Sequence, residues 1–241
     1  MKFRIVSIVF ASLVIVGCGG SGAGGSGGAG GAGGSGTISP SDINISQDIL
    51  NGKISDYSSA DPIKNQYLSV VNHLRRQKIK CNDNSAKTGP SPELESNALL
   101  ERAAKEHSDD YSASGRYNRD HFGSGTASDL TSVAWNLNGG STPQQRVEYN
   151  GYDGISGDNQ AMLMSYYAKG RKPANFEAVQ DNTWIYVMQG WMKSRTGHCS
   201  NIMNASFEDF GMHESGVRIE DNGTHILHTT YWTQEFGKSN Q

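Results

Sequence analysis

Two histidines stand on glycine-flanked turns just after predicted helices. His121 lies in RDHFGSG and His198 lies in GHCSNIMN. Turns of this kind often present functional side chains, and imidazole serves both as a metal ligand and as an acid or base near neutral pH. The other histidines fall inside predicted helices or in a predicted hairpin. From spacing alone, two structural histidines remain the alternative to a shared site.

Catalytic motifs of other kinds are absent from the sequence. Outside the glycine-rich tract there is no G-x-S-x-G, and the sequence has no H-E-x-x-H and no phosphate-binding loop ending in GK[ST]. The glycine-rich stretch at residues 19–36 is repetitive, which is typical of a flexible tether. Any chemistry therefore depends on the two histidines and on residues that the fold brings to them.

The first 17 residues have the pattern of an export signal. Lys2 and Arg4 precede a short apolar run at residues 5–16. A membrane-spanning helix needs about 20 apolar residues, so this run is too short to be one. The sequence predicts a signal peptide over residues 1–17.

The segment Ile15-Val16-Gly17-Cys18 resembles a bacterial lipobox, in which the cysteine is lipidated after cleavage before it. We expect a palmitate-bearing lipid anchor at Cys18 that attaches the protein to a membrane of the cell envelope. Gly19 rather than Asp follows, which favours the outer membrane in a Gram-negative host. An ordinary signal peptide with an incidental cysteine is the alternative.

Two further cysteines remain in the mature chain, Cys81 and Cys199. A catalytic cysteine needs a base within hydrogen-bond reach, and such partners are rarely sequence neighbours, so the adjacency of His198 and Cys199 is weak evidence for catalysis. An exported chain with two remaining cysteines favours a disulfide. We predict a Cys81–Cys199 bond, with a free thiol as the alternative.

The predicted mature chain has a net negative charge and two parts of different composition. Cleavage after residue 17 leaves 19 basic and 24 acidic residues, a net charge of −5, which argues against a nucleic-acid partner. Residues 18–60 are predicted to be the lipidated cysteine, a tether and a polar linker or loosely docked arm. Residues 61–241 are predicted to form one domain.

The periodicity of the domain predicts four helices followed by a hairpin. Helices are expected to start at Asp61-Pro62, at Ser91-Pro92 and at Thr142-Pro143, and a fourth to carry Trp184 and Trp191. Residues 210–219 and 225–236 are predicted strands around the turn Asp221-Asn222-Gly223. This order indicates an α+β fold with helices packed on a sheet.

Several ordered segments together resemble the CAP superfamily, also called the SCP domain family, in a bacterial lipoprotein form. They are LESNALLERAAKEHSDDY, DHFGSG, RVEYNGYDG, GWMKSRTGHCSNIMN and YWTQEFG, within residues 63–237. The resemblance implies an α-β-α sandwich with a central antiparallel sheet. It also implies a shallow cavity lined by two histidines and two glutamates that binds zinc or another divalent cation in some members.

His121 and His198 match the two cavity histidines of that family. In place of the first glutamate, GDNQAM offers Asp158, and in place of the second stands Ser194. Loss of the second carboxylate removes the natural general base, so metal-dependent hydrolysis is harder to support. The sequence therefore favours a binding or interaction module whose partner is a small hydrophobic molecule, a glycan or a protein. A weak metal-dependent hydrolase or peptidase is the alternative.

Overall fold

The computed structural model of the 241-residue chain describes residues 12–14, 37–54, 64–83, 88–118, 120–172 and 183–240. The predicted lipidation site Cys18, the predicted tether at residues 19–36 and the expected helix start at Asp61-Pro62 lie outside these ranges. Within the described ranges, helices and one sheet form the mixed architecture that the sequence predicts.

Seven α-helices and one short 3₁₀ turn are found in the described part of the chain. They are the turn Pro40–Asp42 and α1 (Ile45–Leu50), α2 (Lys64–Arg75), α3 (Ala98–Ser114), α4 (Leu130–Ala134), α5 (Pro143–Tyr149), α6 (Thr183–Lys193) and α7 (His198–Ile202). None of the described helices has the length and apolar character needed to cross a membrane.

In the part of the chain that the structure describes, six strands form a single sheet in the order β1-β3-β6-β4-β2, with β5 paired to β6. The strands are β1 (Ser12–Val14), β2 (Glu95–Ser96), β3 (Gly154–Ala168), β4 (Asp209–Glu214), β5 (Arg218–Asp221) and β6 (His225–Ser239). All pairings are antiparallel except that of the two-residue β2 with β4. The α+β fold class is confirmed.

Two layers of helices cover the sheet. One apolar cluster joins the sheet to α1, α2, α6 and α7, and contains the buried Trp184, Trp191 and Trp232. A smaller cluster packs α3 and α5 together through Leu100 and Val147. The two clusters account for the sandwich that the family resemblance implies.

The segment 37–54 packs more firmly than a loosely docked arm would. Ile43, Ile45 and Ile54 are buried in the larger apolar cluster, and Ile38 pairs with Ile79 through backbone hydrogen bonds. Each buried isoleucine contributes about 1.5–3 kcal/mol of apolar transfer free energy. These residues therefore form part of the core.

The predicted start of the second helix at Ser91-Pro92 is wrong. Helix α3 begins at Ala98, where the side chain of Asn97 accepts a hydrogen bond from the Leu99 amide. The amides of Glu95 and Asn97 instead donate to carbonyls beside and within β4. Pairing with the sheet satisfies these amides and delays the helix by two turns.

Sequence periodicity also missed β3, which equals β6 in length. β3 spans 15 residues and pairs along its whole length with β6. The predicted strand 210–219 is two strands, β4 and β5, separated by a short break. The predicted start of α5 and the predicted turn before β6 agree with the structure. Thr142 and Gln145 form a capping box at the start of α5, and the turn at Asp221 joins β5 to β6.

Candidate functional site

His121 is held in an uncommon backbone conformation by the loop that follows α3. Its φ angle is +64°, which residues other than glycine seldom adopt. Its carbonyl oxygen accepts a hydrogen bond from Nη2 of Arg146 at 3.0 Å. Nearby, the Gly123 amide donates to the Ser141 carbonyl at 2.8 Å. The loop thus fixes the direction in which the imidazole leaves the chain.

A buried aspartate anchors the same loop. Both carboxylate oxygens of Asp129 are used: one accepts from the Ser141 hydroxyl at 2.7 Å and the other from the Ser141 amide at 2.9 Å. Asp129 also caps α4 through the Ser132 amide at 3.1 Å. These bonds to an ionised group are stronger than those between neutral groups, so they give the loop a rigid base.

His198 is the first residue of α7. Gly197 precedes it with a φ of +104°, a conformation that favours glycine. The His198 carbonyl accepts a hydrogen bond from the Asn159 side chain at 3.1 Å. Its ring packs edge-on against Trp191 with centroids 6.3 Å apart. Backbone bonding and the packed indole together position the second imidazole.

The predicted disulfide is confirmed, and it lies directly beside His198. Cys81 and Cys199 are bonded across 118 residues of sequence, with their Cα atoms 5.6 Å apart. The neighbouring Ser200 donates its hydroxyl to Asp83 at 2.6 Å. The short helix α7 is therefore tied to the segment that follows α2.

The structure brings His121, His198 and Asp158 together. The two rings are nearly parallel, with an interplanar angle of 25° and centroids 6.1 Å apart. Nδ1 of His121 lies 2.8 Å from a carboxylate oxygen of Asp158. The family resemblance implies a shallow cavity, but the exposed fractions of His121 and His198 are only 3% and 1%. Both rings are almost wholly shielded from water.

Asp158 orients His121. Burial alone would raise the pKa of the Asp158 carboxyl, but His121, Arg146 and His198 outweigh that effect and lower the pKa. The carboxylate is therefore ionised and holds Nδ1 of His121 as the protonated nitrogen. Nε2 of His121 is buried and has no hydrogen-bond partner among the described residues. This nitrogen is the atom that the site leaves for a ligand.

Ser194 lies in the turn after α6, with 9% of its surface exposed. Its hydroxyl is 2.9 Å from the Thr196 hydroxyl and accepts a hydrogen bond from the Thr196 amide at 3.1 Å. These contacts stabilise the turn that leads to Gly197. The hydrogen bonds of Ser194 thus run within its own turn, and the site is centred on the other three residues.

The donors do not fit a zinc centre of the usual kind. Across the described ranges, no group of three or more His, Cys, Asp and Glu side chains is arranged to hold a metal ion. Open zinc centres use three protein ligands, whereas Asp158 here is committed to His121 and leaves two imidazoles. Binding of zinc or another divalent cation stays a prediction.

Sequence reasoning missed Glu235 and Arg146 as site residues. Glu235 lies on β6 directly opposite Asp158 on β3. Arg146 on α5 approaches Asp158 to 3.8 Å. A signal for Glu235 was present, because it is the one charged residue besides histidine between 225 and 237, in a predicted strand. Its role could not be assigned without the missed strand β3.

A family model matches most of the chain. Residues 68–236 match the model described as "CAP: Cysteine-rich secretory protein family". The chain belongs to the CAP family. The match spans both histidines, Asp158 and nearly all of the sheet, and at the family level it indicates an extracellular-type interaction domain. Comparisons with curated proteins and with solved structures gave no significant match.

Proposed function

We propose that this CAP domain is a binding module of the bacterial cell envelope, anchored through lipidated Cys18, and that its ligand binds at His121 and His198. The observation that carries the proposal is the buried Nε2 of His121, which has no partner among the described residues. Leaving a buried polar atom unsatisfied costs about 1–3 kcal/mol. A ligand that donates a hydrogen bond to this nitrogen, or binds it as a cation, removes that cost.

Binding has more support than hydrolysis. A hydrolase would need a general base or an activated nucleophile beside the histidines. Asp158 is occupied in orienting His121, and the Ser194 hydroxyl hydrogen-bonds to Thr196. The weak metal-dependent hydrolase or peptidase is therefore the second candidate. The site is better suited to holding a group than to transferring one.

Native mass spectrometry of the detergent-extracted chain, purified without metal-affinity steps, tests the proposal. A small hydrophobic molecule, a glycan, a protein segment and a divalent cation differ enough in mass to be distinguished. We expect bound mass on the wild type, reduced at least tenfold in occupancy in His121→Asn and His198→Asn. His225→Asn, on β6, is the matched control and should keep the ligand. Equal bound mass in all variants, or none on the wild type, would contradict the proposal.

A further inference from the structure

Glu235 and Asp158 are neighbours on one face of the sheet. They occupy directly opposite positions in the antiparallel pair of β6 and β3. Opposite side chains in such a pair project from the same face, with Cβ atoms about 4.5–5.5 Å apart. On the other side, Glu235 is opposite Gly211 of β4, where a Cβ would collide with the backbone of Leu100 and Glu101 in α3. Helix α3 therefore closes this face over Glu235.

Glu235 is buried, and no described residue forms a hydrogen bond with its carboxyl group. Its exposed fraction is 0%, and neither carboxyl oxygen has a hydrogen-bond partner among the described residues. A buried ionised carboxylate without pairing or hydrogen bonds is costly enough that the group normally takes up a proton instead. The environment of Glu235 is thus that of a neutral acid.

Glu106 shows how the same fold surrounds a buried glutamate whose carboxyl oxygens have hydrogen-bond donors. Its carboxylate accepts hydrogen bonds from the Thr131 amide at 2.7 Å, from the Thr131 hydroxyl at 2.6 Å and from the Asn150 side chain at 2.8 Å. Three donors of this kind stabilise the charged form. Glu106 and Glu235 are the same type of residue, so the contrast between them comes from their surroundings.

The charged groups that face Glu235 come from three elements. Asp158 on β3 and Glu106 on α3 are acidic, and Arg146 on α5 is basic. Burial raises the pKa of the Glu235 carboxyl well above its ordinary value, Asp158 and Glu106 raise it further, and Arg146 opposes them. Arg146 also donates to the carbonyls of Ser141 and His121, so its charge is shared.

We propose that Glu235 is a positioning residue held as the neutral carboxylic acid, so that the Asp158–Glu235 pair carries a single negative charge behind His121. This inference rests on the proposed role of His121 as the residue that contacts the ligand. One charge at Asp158 fixes the Nδ1–H tautomer of His121 and leaves the Nε2 lone pair for a ligand. A second charge at Glu235 would favour the doubly protonated imidazolium, which has no lone pair to offer.

Infrared spectroscopy of the full chain at neutral pH tests the protonation directly. The difference spectrum between wild type and Glu235→Gln should contain the C=O band of a protonated carboxylic acid. The spectrum of Glu106→Gln, the matched control, should retain that band. Absence of the band from the wild type would overturn the proposal. This measurement requires no variant to bind a ligand, so its outcome is independent of whether the site holds one.

The ¹⁵N chemical shifts of the His121 ring at neutral pH test the effect on the site, because they distinguish the Nδ1–H tautomer from the Nε2–H tautomer. Glu235→Gln removes no charge under the proposal, so the Nδ1–H signature of His121 should be unchanged. Asp158→Asn is the positive control and should change that signature, because the carboxylate that accepts from Nδ1 is lost. If Glu235→Gln changes the signature as Asp158→Asn does, Glu235 is ionised and the proposal is wrong. If the glutamine variant does not fold, the carboxyl ¹³C shift of Glu235 in the wild type decides the same question.

Discussion

At the residue scale, His121 combines a strained backbone with a functional side chain. Its φ of +64° is tolerated by asparagine but is unfavourable for alanine, which has no polar group to compensate. We predict that the free energy of unfolding of His121→Ala is about 1 kcal/mol lower than that of His121→Asn. Chemical denaturation of the two variants measures this difference. Equal stability would show that the loop relaxes when the imidazole is lost.

The backbone strain also decides how the site should be tested. If an alanine variant lost the ligand, the cause would be ambiguous. The loss could come from the missing Nε2 or from a distorted loop. The asparagine variant removes Nε2 and keeps the conformation, so its effect reports on the side chain. For this reason the binding experiments above use asparagine at position 121.

The raised pKa of Glu235 makes the stability of the folded chain depend on pH. The folded chain keeps a proton that the unfolded chain releases above the ordinary glutamate pKa. The wild type therefore loses stability as the pH rises from that value towards the folded pKa, whereas an amide at this position does not titrate. We predict that Glu235→Gln is more stable than the wild type at pH 7.

The same comparison at lower pH provides the control. Near pH 4 both folded and unfolded wild-type chains are protonated at Glu235, so the advantage of Glu235→Gln should disappear. Glu106→Gln should instead be destabilised at pH 7, because glutamine cannot accept all three hydrogen bonds. Urea unfolding at the two pH values measures both effects. A pH-independent difference for Glu235→Gln would contradict the linkage.

At the scale of elements, the short helix α7 depends on covalent and polar ties. Its five residues are too few for a stable isolated helix. The disulfide holds Cys199, and Nη1 of the buried Arg75 donates to the Ile202 carbonyl at 2.6 Å. These ties place His198 opposite His121.

Removing the disulfide should therefore weaken the fold and loosen the site. In the chain-entropy model a loop of this length contributes up to about 5 kcal/mol, and measured losses are usually smaller. We predict that Cys81→Ala with Cys199→Ala lowers the free energy of unfolding by about 2–5 kcal/mol. Calorimetric unfolding of the double variant against the oxidised wild type measures it. A count of free thiols in the unfolded, unreduced wild type should be zero for this cysteine pair.

Local signals in the sequence explain which elements could be predicted. Thr142-Pro143 combines a capping residue with a proline at the first helical position, and the structure places α5 there. Ser91-Pro92 has the same local chemistry but fails, because the chain that follows pairs with β4. Capping signals predict a helix only when no strand competes for the same amides.

The missed strand β3 also explains what could not be predicted at the site. Its residues 158–165 are buried at most positions, on both faces, so the alternation typical of a half-exposed strand is weak. Without β3 there was no reason to place Glu235 beside Asp158. The two histidines could be chosen from their turns, whereas the charge network behind them depends on strand register.

At the scale of the whole molecule, the lipobox-like segment predicts that the domain works at a membrane. Residues 19–36 are predicted to be a flexible tether, and a tether of these 18 residues would span roughly 24 Å on average, from about 5–6 Å multiplied by the square root of its length. That distance would be enough to hold a small domain clear of lipid headgroups. Cleavage before Cys18 would also remove β1 and leave the edge of β3 at Met162–Met164 without that neighbour.

We predict that Cys18→Ser abolishes membrane anchoring, because serine offers no thiol for acylation. Expressed in a bacterial host with radiolabelled palmitate, the wild type should be labelled and should partition into detergent. Cys18→Ser should be unlabelled, and should accumulate as uncleaved precursor or leave the membrane fraction. Ser21→Ala, at the fourth residue of the predicted mature chain, is the matched control and should behave as wild type. Mature, membrane-free protein with an unmodified Cys18 would replace the lipid anchor with simple secretion, and the ligand site would then act in solution.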